Sequence, residues 1–246
     1  MINLSTIIAR SSNATEKTAL NKVGLYISSS SPPSPSTLRN LEALGINQLF
    51  VENGAVISNS SNTHLTQCIW HDTPLGTDQN IAIISQVSPL GALLSGSRGL
   101  PIVSSAATTP GGFNALATNW ELYERKARET GHSPDRNNWS LVTPMHLSDT
   151  RHKAKAEVAE NLKHWLARHP GLNSMTKGYS NPTNAIAESG FAVIGSRRDA
   201  KKQIERLTAE TGGFGNLLLL VHDWAEPDHT YRSMEICLEV IENFID

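Results

Sequence analysis

Cysteine, long apolar runs and excess charge are all scarce in this sequence of 246 residues. Cys68 and Cys237 lie far apart and form no CxxC motif, so we predict reduced thiols, as in a cytoplasmic protein, rather than a disulfide framework. The nine histidines show no metal-ligand spacing, and we predict no metal site. A net charge of -2 gives no electrostatic reason to expect nucleic acid or a membrane as a partner. No apolar run reaches the ~20 residues that a membrane-spanning helix needs.

Signature motifs of several common enzyme classes are missing as well. The chain has no Gly-x-Ser-x-Gly elbow of the hydrolases and no Walker A loop. Gly91, Gly96 and Gly99 lack the spacing of a dinucleotide fingerprint, and the glycines at 212–215 precede a predicted strand instead of following one. The sequence motifs therefore do not indicate these classes.

What the sequence does contain is a regular alternation of apolar strands and amphipathic helices from residue 80 onward. Strands are predicted at residues 81–84, 100–103, 141–145, 191–195 and 216–221. Five helices are predicted. The first begins near Pro89, the second runs from the Thr109 cap to Gly131, and the third begins at a cap at Ser148 or Asp149. The fourth ends at Gly212, and the fifth begins at about Pro227. Residues 171–188 are polar and are predicted to be an insertion or a mobile loop. This alternation predicts an α/β fold with a parallel sheet, and the length suits one (β/α)8 barrel of ~250 residues.

The first 79 residues lack that regularity, so we predict a weakly structured N-terminal segment at 1–79 and a barrel portion at 80–246. Residues 28–36 read Ser-Ser-Ser-Ser-Pro-Pro-Ser-Pro-Ser, which predicts a mobile linker. Residues 53–78 carry no predicted element. Two elements are predicted in this segment. One is a helix with Leu38, Leu41 and Leu44 at helical spacing, and the other is a short strand at residues 49–51.

A nearly uninterrupted aliphatic strand at 216–221 ends in His222, Asp223 and Trp224. Such a strand is typical of a parallel sheet covered on both faces, and ligands bind at the carboxyl ends of those strands. His222 and Trp224 could therefore contact a ligand. Equally, Trp224 could plug the mouth of the barrel while Asp223 caps the next helix. The residues alone leave both interpretations open.

A second candidate is the loop that joins the strand at 81–84 to the next helix. Its backbone N–H groups and the Ser88 hydroxyl could converge on an anion, because a helix N-terminus favours negative charge. The alternative, favoured on this loop alone, is that Ser88 is an N-cap before a proline at the first helical position.

Several segments, in this order, resemble the C-terminal half of the bacterial luciferase-like flavin monooxygenases, especially the limonene or alkanal monooxygenase-like branch. The similarity covers about residues 80–241. The segments that carry it are Pro101 to Ser105, Thr109 to Phe113, Trp120 to Tyr123, Pro144 to His146, Gly190 to Gly195, and Gly212 to Ala225.

The resemblance implies a TIM barrel that uses reduced flavin, either FMN or the F420 of some relatives, together with dioxygen. It also implies a separate flavin reductase and a small organic substrate such as an aldehyde, a terpene or an alkane. The loop at 85–91 is similar to one that helps hold the flavin phosphate, which assigns Ser85, Gln86, Ser88 and Gly91 to cofactor binding. His222 and Trp224 become flavin-lining or substrate-lining residues, and no catalytic residue is assigned.

One departure from the family pattern lies on the N-terminal side. Relatives carry more strands there, and where they show an acidic residue followed by histidines this chain has Glu52-Asn53-Gly54. We therefore expect a shortened or incomplete barrel that could complete its sheet as a homodimer, because a raw strand edge needs a partner. The alternative to an active monooxygenase is a weak or inactive flavin-binding paralogue, or a truncated remnant.

Overall fold

Seven parallel strands close into a barrel in the computed structural model, which describes residues 22–29, 44, 46, 48–53, 64–74 and 80–245. Within those residues, the first six strands and the last one form the ring, and two short strands pair outside it. The strands are β1 (Lys22–Ile27), β2 (Gln48–Glu52), β3 (His64–Ile69), β4 (Ile81–Ser85), β5 (Ile102–Ser104), β6 (Trp139–Thr143), β7 (Met145–Leu147), β8 (Val193–Gly195) and β9 (Asn216–Leu220).

The ring closes because β9 pairs on both of its sides. One side runs beside β1, where Val23 is opposite Leu217, and the other runs beside β6, where Leu141 is opposite the same leucine. The ring has one strand fewer than the eight of a standard TIM barrel, so the predicted shortened α/β barrel is confirmed. It is closed, so no raw edge in the ring needs a second copy of the chain. The homodimer therefore stays a prediction, but an unpaired strand edge in the ring no longer argues for it.

The two strands outside the ring follow from a break after β6. Pro144 has no N–H to donate to a ladder, and the chain resumes beyond it as β7. β8 pairs with β7 in parallel, and the Val193 N–H donates to the Pro144 carbonyl at 3.0 Å. The extended segment predicted at 141–145 is therefore divided between two sheets.

Seven α-helices in the described residues surround the strands. They are α1 (Leu90–Arg98), α2 (Pro110–Glu129), α3 (Arg151–Ala167), α4 (Asn173–Thr176), α5 (Pro182–Glu188), α6 (Arg197–Thr211) and α7 (Pro227–Ile245). The predicted apolar stripes are buried, as the fully covered Ala127, Val158 and Leu207 show for α2, α3 and α6. None of these helices is long and apolar enough to cross a membrane.

One predicted helix cap and one predicted loop need correction, whereas two predicted helix ends are confirmed. Neither Ser148 nor Asp149 caps α3; Thr150 does, accepting a hydrogen bond from the Lys153 N–H at 3.2 Å. The stretch at 171–188 is not irregular, since it contains α4 and α5. The Thr109 cap is confirmed by its bond from the Gly112 N–H, and Gly212 ends α6 with a left-handed φ of 68°.

The N-terminal segment contributes three of the ring strands. β2 confirms the strand predicted at 49–51, whereas β1 was not predicted and β3 lies in a stretch with no predicted element. Ser28 and Ser29, placed in the predicted linker, both donate hydrogen bonds to Glu52. The ring thus draws on both sides of residue 79. The predicted helix around Leu38 lies outside the described residues, apart from Leu44, which is buried.

Candidate cofactor site at the carboxyl end of the barrel

Alternate residues of the ring strands point into the barrel, so its inner wall can be read from the strand register. The wall is apolar and buried along most of its height. Its members are Tyr26, Phe50, Cys68, Ala82, Ile84, Val103, Val142 and Leu218. Two residues further along six of the seven ring strands, the same face reaches the carboxyl end, where parallel barrels bind their ligands. We call these positions the rim: Ser28, Glu52, Trp70, Gln86, Ser105 and Leu220.

On one side of the rim, Glu52 joins the ends of three consecutive strands. Its Oε2 accepts hydrogen bonds from the Ser28 hydroxyl and the Ser29 N–H, both at 2.8 Å. Its Oε1 accepts from the Trp70 indole Nε1 at 3.1 Å. Only 7% of Glu52 is exposed, so these donors replace the water that a carboxylate would otherwise need. The carboxylate is a clamp that holds β1, β2 and β3 together at their ends.

A second network crosses the opposite side of the rim. Asn119, buried on α2, donates to the Gln86 carbonyl at 2.8 Å and to the Ser85 hydroxyl at 3.4 Å. The Gln86 side-chain amide donates to the Ser105 hydroxyl at 3.1 Å. Ser105 also hydrogen-bonds with the Tyr26 hydroxyl, whose pKa burial raises well above its usual range. The phenol is therefore neutral and stays protonated at physiological pH.

The four predicted cofactor residues surround the turn from β4 to α1. Ser85 is buried, whereas Gln86 and Ser88 are exposed, and the Ser88 hydroxyl accepts from the Leu90 N–H at 3.4 Å. That bond matches a capping role, although the N-cap position itself is Pro89. Gly91 is buried, and a Cβ there would lie 2.2 Å from the Ile84 carbonyl oxygen. The absence of a side chain at Gly91 is what lets α1 begin directly against the end of β4.

His222 and Trp224 follow β9 and lie in a buried cluster between β7 and α3. The rings of His222 and Trp224 stack at 3.9 Å, and Trp224 meets Trp165 edge-on at 5.2 Å. His222 is 1% exposed and Trp224 is fully buried. We call the set His146, Trp165, His222 and Trp224 the His–Trp cluster. This placement agrees with the interpretation of Trp224 as a packing residue, and the lining role of both residues stays a prediction.

Hydrogen bonds and burial determine the protonation of His222. Its Nε2 lies 3.1 Å from the Met145 carbonyl, which only accepts, so Nε2 carries the proton. Its Nδ1 accepts from the Trp224 N–H at 3.4 Å. Burial is the main cause that lowers the pKa of His222 to about 3. His222 is therefore neutral and stays neutral at physiological pH.

A carboxylate sits at the edge of the His–Trp cluster. Glu157 of α3 lies 2.8 Å from His146 Nε2 and 3.3 Å from His229 Nδ1, and it accepts from the Ser148 hydroxyl at 3.0 Å. Burial lowers the pKa of His146, although hydrogen bonding to Glu157 opposes the shift. Among the described residues, no group of three or more histidine, cysteine, aspartate or glutamate side chains could hold a metal ion.

The opposite, amino end of the barrel contains a cavity of about 170 Å³. Its lining includes neutral polar side chains such as Gln48, Thr66 and Asn216. Asn216 donates to the Ser140 hydroxyl and the Asn137 carbonyl, both at 3.1 Å. This end is the stabilising face of parallel barrels, so it is not our candidate site.

The sequence is similar to those of known monooxygenases. Over 177 residues the chain is 34% identical to limonene 1,2-monooxygenase of Rhodococcus erythropolis, covering 70% of this chain and 45% of that protein. Over the residues matched, the chain is a relative of the luciferase-like flavin-dependent monooxygenases. The predicted resemblance is thereby confirmed. No protein-family model matches the sequence.

Two solved structures extend the comparison, one in sequence and fold and the other in fold alone. The oxygenating constituent of 3,6-diketocamphane monooxygenase from Pseudomonas putida, in complex with FMN, aligns with a TM-score of 0.54 and 26% identity. It covers 68% of this chain and 49% of that one. Monooxygenase RslO1 from Streptomyces bottropensis shares the fold with a TM-score of 0.63 at 11% identity, over 89% of this chain and 98% of its own.

This luciferase-like chain spans about half the length of the curated relatives that it matches. Sequence reasoning found the loop from β4 to α1 but did not assign Tyr26, Trp70 or Asn119 to the site. The signal for Trp70 was period-two alternation through Thr66 and Cys68, which is hard to see in a strand of six residues. Asn119 gave no local signal, because its partners are more than thirty residues away in sequence.

Proposed function

We propose that the chain binds FMN at the rim and acts as a flavin-dependent monooxygenase on a small organic substrate. The substrate classes are an aldehyde, a terpene or an alkane, and a separate flavin reductase supplies the reduced cofactor. The observation that carries the proposal is the match to limonene 1,2-monooxygenase on a closed barrel whose carboxyl end gathers hydrogen-bonding groups above an apolar wall.

The residues of the rim suit a flavin in their chemistry. A flavin has a flat apolar ring with polar edges and a phosphate at the end of its side chain. The apolar wall below the rim suits the ring, and Gln86 and Ser105 offer neutral hydrogen-bonding groups for its edges. When bound, reduced flavin would supply the electrons that activate dioxygen. The wall would also keep water away from the reacting atoms.

The phosphate would bind at the start of α1. Gln86 and Ser88 are exposed there, and the N-terminus of a helix offers unpaired N–H groups to an anion. Gly91 allows the helix to approach β4, while Asn119 holds the Gln86 carbonyl and the Ser85 hydroxyl. His222 and Trp224 are part of the proposal only as lining residues, and their burial means that the connection from β9 to α7 must move before a ligand can touch them.

A second candidate function is flavin binding without turnover. One feature of the sequence favours it: Asn53 and Gly54 follow Glu52, where the family resemblance implies histidines after an acidic residue. Such a chain would hold the cofactor while lacking side chains that the oxygenation needs.

Three finer points belong to the same proposal. FMN is preferred to F420 because the structure of the 3,6-diketocamphane enzyme holds FMN. A cytoplasmic location is proposed because Cys68 and Cys237 are buried and form no disulfide. A homodimer remains part of the proposal and is tested by sedimentation of the purified chain.

The deciding experiment is a titration of the purified chain with FMN and with F420, each oxidised and reduced, followed by oxygen uptake. We expect saturable binding of FMN, and oxygen uptake with a reductase that increases when limonene or a long-chain aldehyde is added. Binding without substrate-dependent uptake would favour the second function. A folded chain that binds neither cofactor would overturn both.

A further inference from the structure

Trp70 is more exposed to solvent than the other four tryptophans, which are all buried. It follows β3 on the inward face, packs against the apolar wall and is partly exposed at the carboxyl end. Trp120, Trp139 and Trp224 are at least 98% buried. A large aromatic side chain left partly open at a ligand-binding end of a barrel leaves apolar surface available to a ligand.

The indole of Trp70 is also held in a fixed orientation. Its Nε1 donates to Glu52 Oε1 at 3.1 Å, while the other carboxylate oxygen is occupied by Ser28 and Ser29. In the described part of the chain, the Nε1 atoms of Trp120 and Trp224 have no hydrogen-bond partner, although both rings are packed in the core. Packing therefore suffices to hold these two rings, whereas the buried Trp139 donates to the Ser104 hydroxyl at 3.0 Å. At Trp70, where packing covers the ring only in part, the clamp that joins the ends of β1, β2 and β3 also fixes the plane of the indole.

A fixed, partly open aromatic plane suits one class of ligand, a planar conjugated ring. Offset stacking of such rings is favourable beyond the area buried, and it costs little entropy when one ring is already held. The rim residues Gln86 and Ser105 and the wall residue Tyr26 form one hydrogen-bonded chain of neutral groups, so they place no charge beside the indole.

We infer that the face of Trp70 stacks against the planar ring of the bound cofactor, and that Glu52 is a positioning residue that holds the indole in that plane. This inference rests on the proposed binding of flavin at the rim. It adds a ring-contact residue on β3 to the loop on β4 that is assigned to the phosphate.

The test uses the full chain, FMN as the probe and two readouts, the Kd and the emission of the bound flavin. An indole in contact with a flavin ring quenches flavin emission by electron transfer, which a purely structural tryptophan would not do. We expect strong quenching in the wild type, recovery of emission in Trp70→Phe, and in Trp70→Ala a Kd raised about tenfold as well. Trp165→Phe, a change in the His–Trp cluster, is the matched control and should keep the quenching.

Glu52 is tested through the same emission. Glu52→Gln keeps one carbonyl oxygen that can accept from Trp70, whereas Glu52→Ala removes every acceptor of the clamp. Quenching should be largely retained in the first variant and weakened in the second, with Trp70 itself unchanged.

Three outcomes would overturn the inference. If Trp70→Ala binds FMN with the wild-type Kd and quenching, the ring does not stack on Trp70, while flavin binding at the rim still stands. If Trp70→Phe is unfolded by circular dichroism, Trp70 is a core residue. If the wild type binds no FMN, the proposed function fails together with the inference.

Discussion

The rim and the His–Trp cluster both gather tryptophan and hydrogen-bonding side chains near the carboxyl ends of strands, and they differ in exposure. At the rim, Trp70 is partly exposed and its Nε1 is paired with Glu52. In the cluster, Trp224 and His146 are fully buried, and each keeps a ring nitrogen without a partner among the described residues. Similar residue types are therefore packed in the core in one region and left partly open at the proposed binding site in the other, because the two regions differ in solvent access and polar pairing.

The largest effect should come from removing the central ring of the His–Trp cluster. Trp224→Ala leaves a cavity between His222, whose ring now stacks on it at 3.9 Å, and Trp165, whose ring meets it edge-on at 5.2 Å. We expect the free energy of unfolding to fall by about 3–5 kcal/mol, measured by urea denaturation. Trp70→Ala, at a partly exposed position, should cost less. If it costs as much or more, the contrast between the two regions is wrong.

The next effect tests the close approach of α1 to β4. Gly91→Ala would place a methyl group 2.2 Å from the Ile84 carbonyl oxygen, so the helix must shift. We expect a loss of about 2–3 kcal/mol in the free energy of unfolding. Gly171→Ala is the control, because no atom lies within 4 Å of its added methyl group, and it should change stability by no more than about 0.5 kcal/mol. A neutral Gly91→Ala would mean that the contact is not tight.

The His–Trp cluster should also make stability depend on pH. The pKa of His222 in the folded chain, about 3, lies below the ordinary 6.5. The contribution of His222 to the free energy of unfolding is therefore fully present above pH 6.5 and is lost as the pH falls towards 3. The unfolded chain gains a proton in that window while the folded chain does not. We expect a loss of about 2 kcal/mol between pH 8 and pH 5 from His222. His146, whose pKa burial also lowers, adds to it with the same sign.

Urea denaturation at pH 8, 6.5 and 5 measures this dependence. His222→Phe keeps a ring that can stack on Trp224 but cannot titrate, so its pH dependence should be flatter than that of the wild type. An equal slope in the variant would place the pH dependence elsewhere.

The smallest effect concerns the rim loop itself. Ser88→Ala removes an exposed hydroxyl that accepts one long hydrogen bond of 3.4 Å, so stability should change by no more than about 0.5 kcal/mol. If Ser88 contacts the flavin phosphate, FMN affinity should fall about tenfold, measured by titration. Ser88→Thr, which keeps a hydroxyl, should stay near the wild type. An unchanged affinity in Ser88→Ala would leave Ser88 as a capping residue only.

Sequence reasoning succeeded where the signal was local. Long apolar stripes identified α2, α3 and α6, and uniform aliphatic runs identified β4 and β9. It failed where strands are short or their pairing is distant. β3 carries the polar Thr66 and Gln67 in the middle of a six-residue strand, so it was passed over. Sequence patterns indicated only part of the candidate site: the loop after β4 has a local helix-start signal, whereas Trp70 and Glu52 meet only because β2 and β3 pair.

By itself, the sequence determined the α/β class, the helices after residue 80 other than α4 and α5, and the family resemblance, because apolar periodicity, caps and ordered segments are local properties of the chain. Only the tertiary structure decided that the ring closes with seven strands, that β8 stays outside it, and that His222 is buried while Trp70 is partly open. The physical reason is that strand pairing and burial depend on residues far apart in sequence. Lys22 of β1 lies opposite Asn216 of β9, and no local pattern records that pairing.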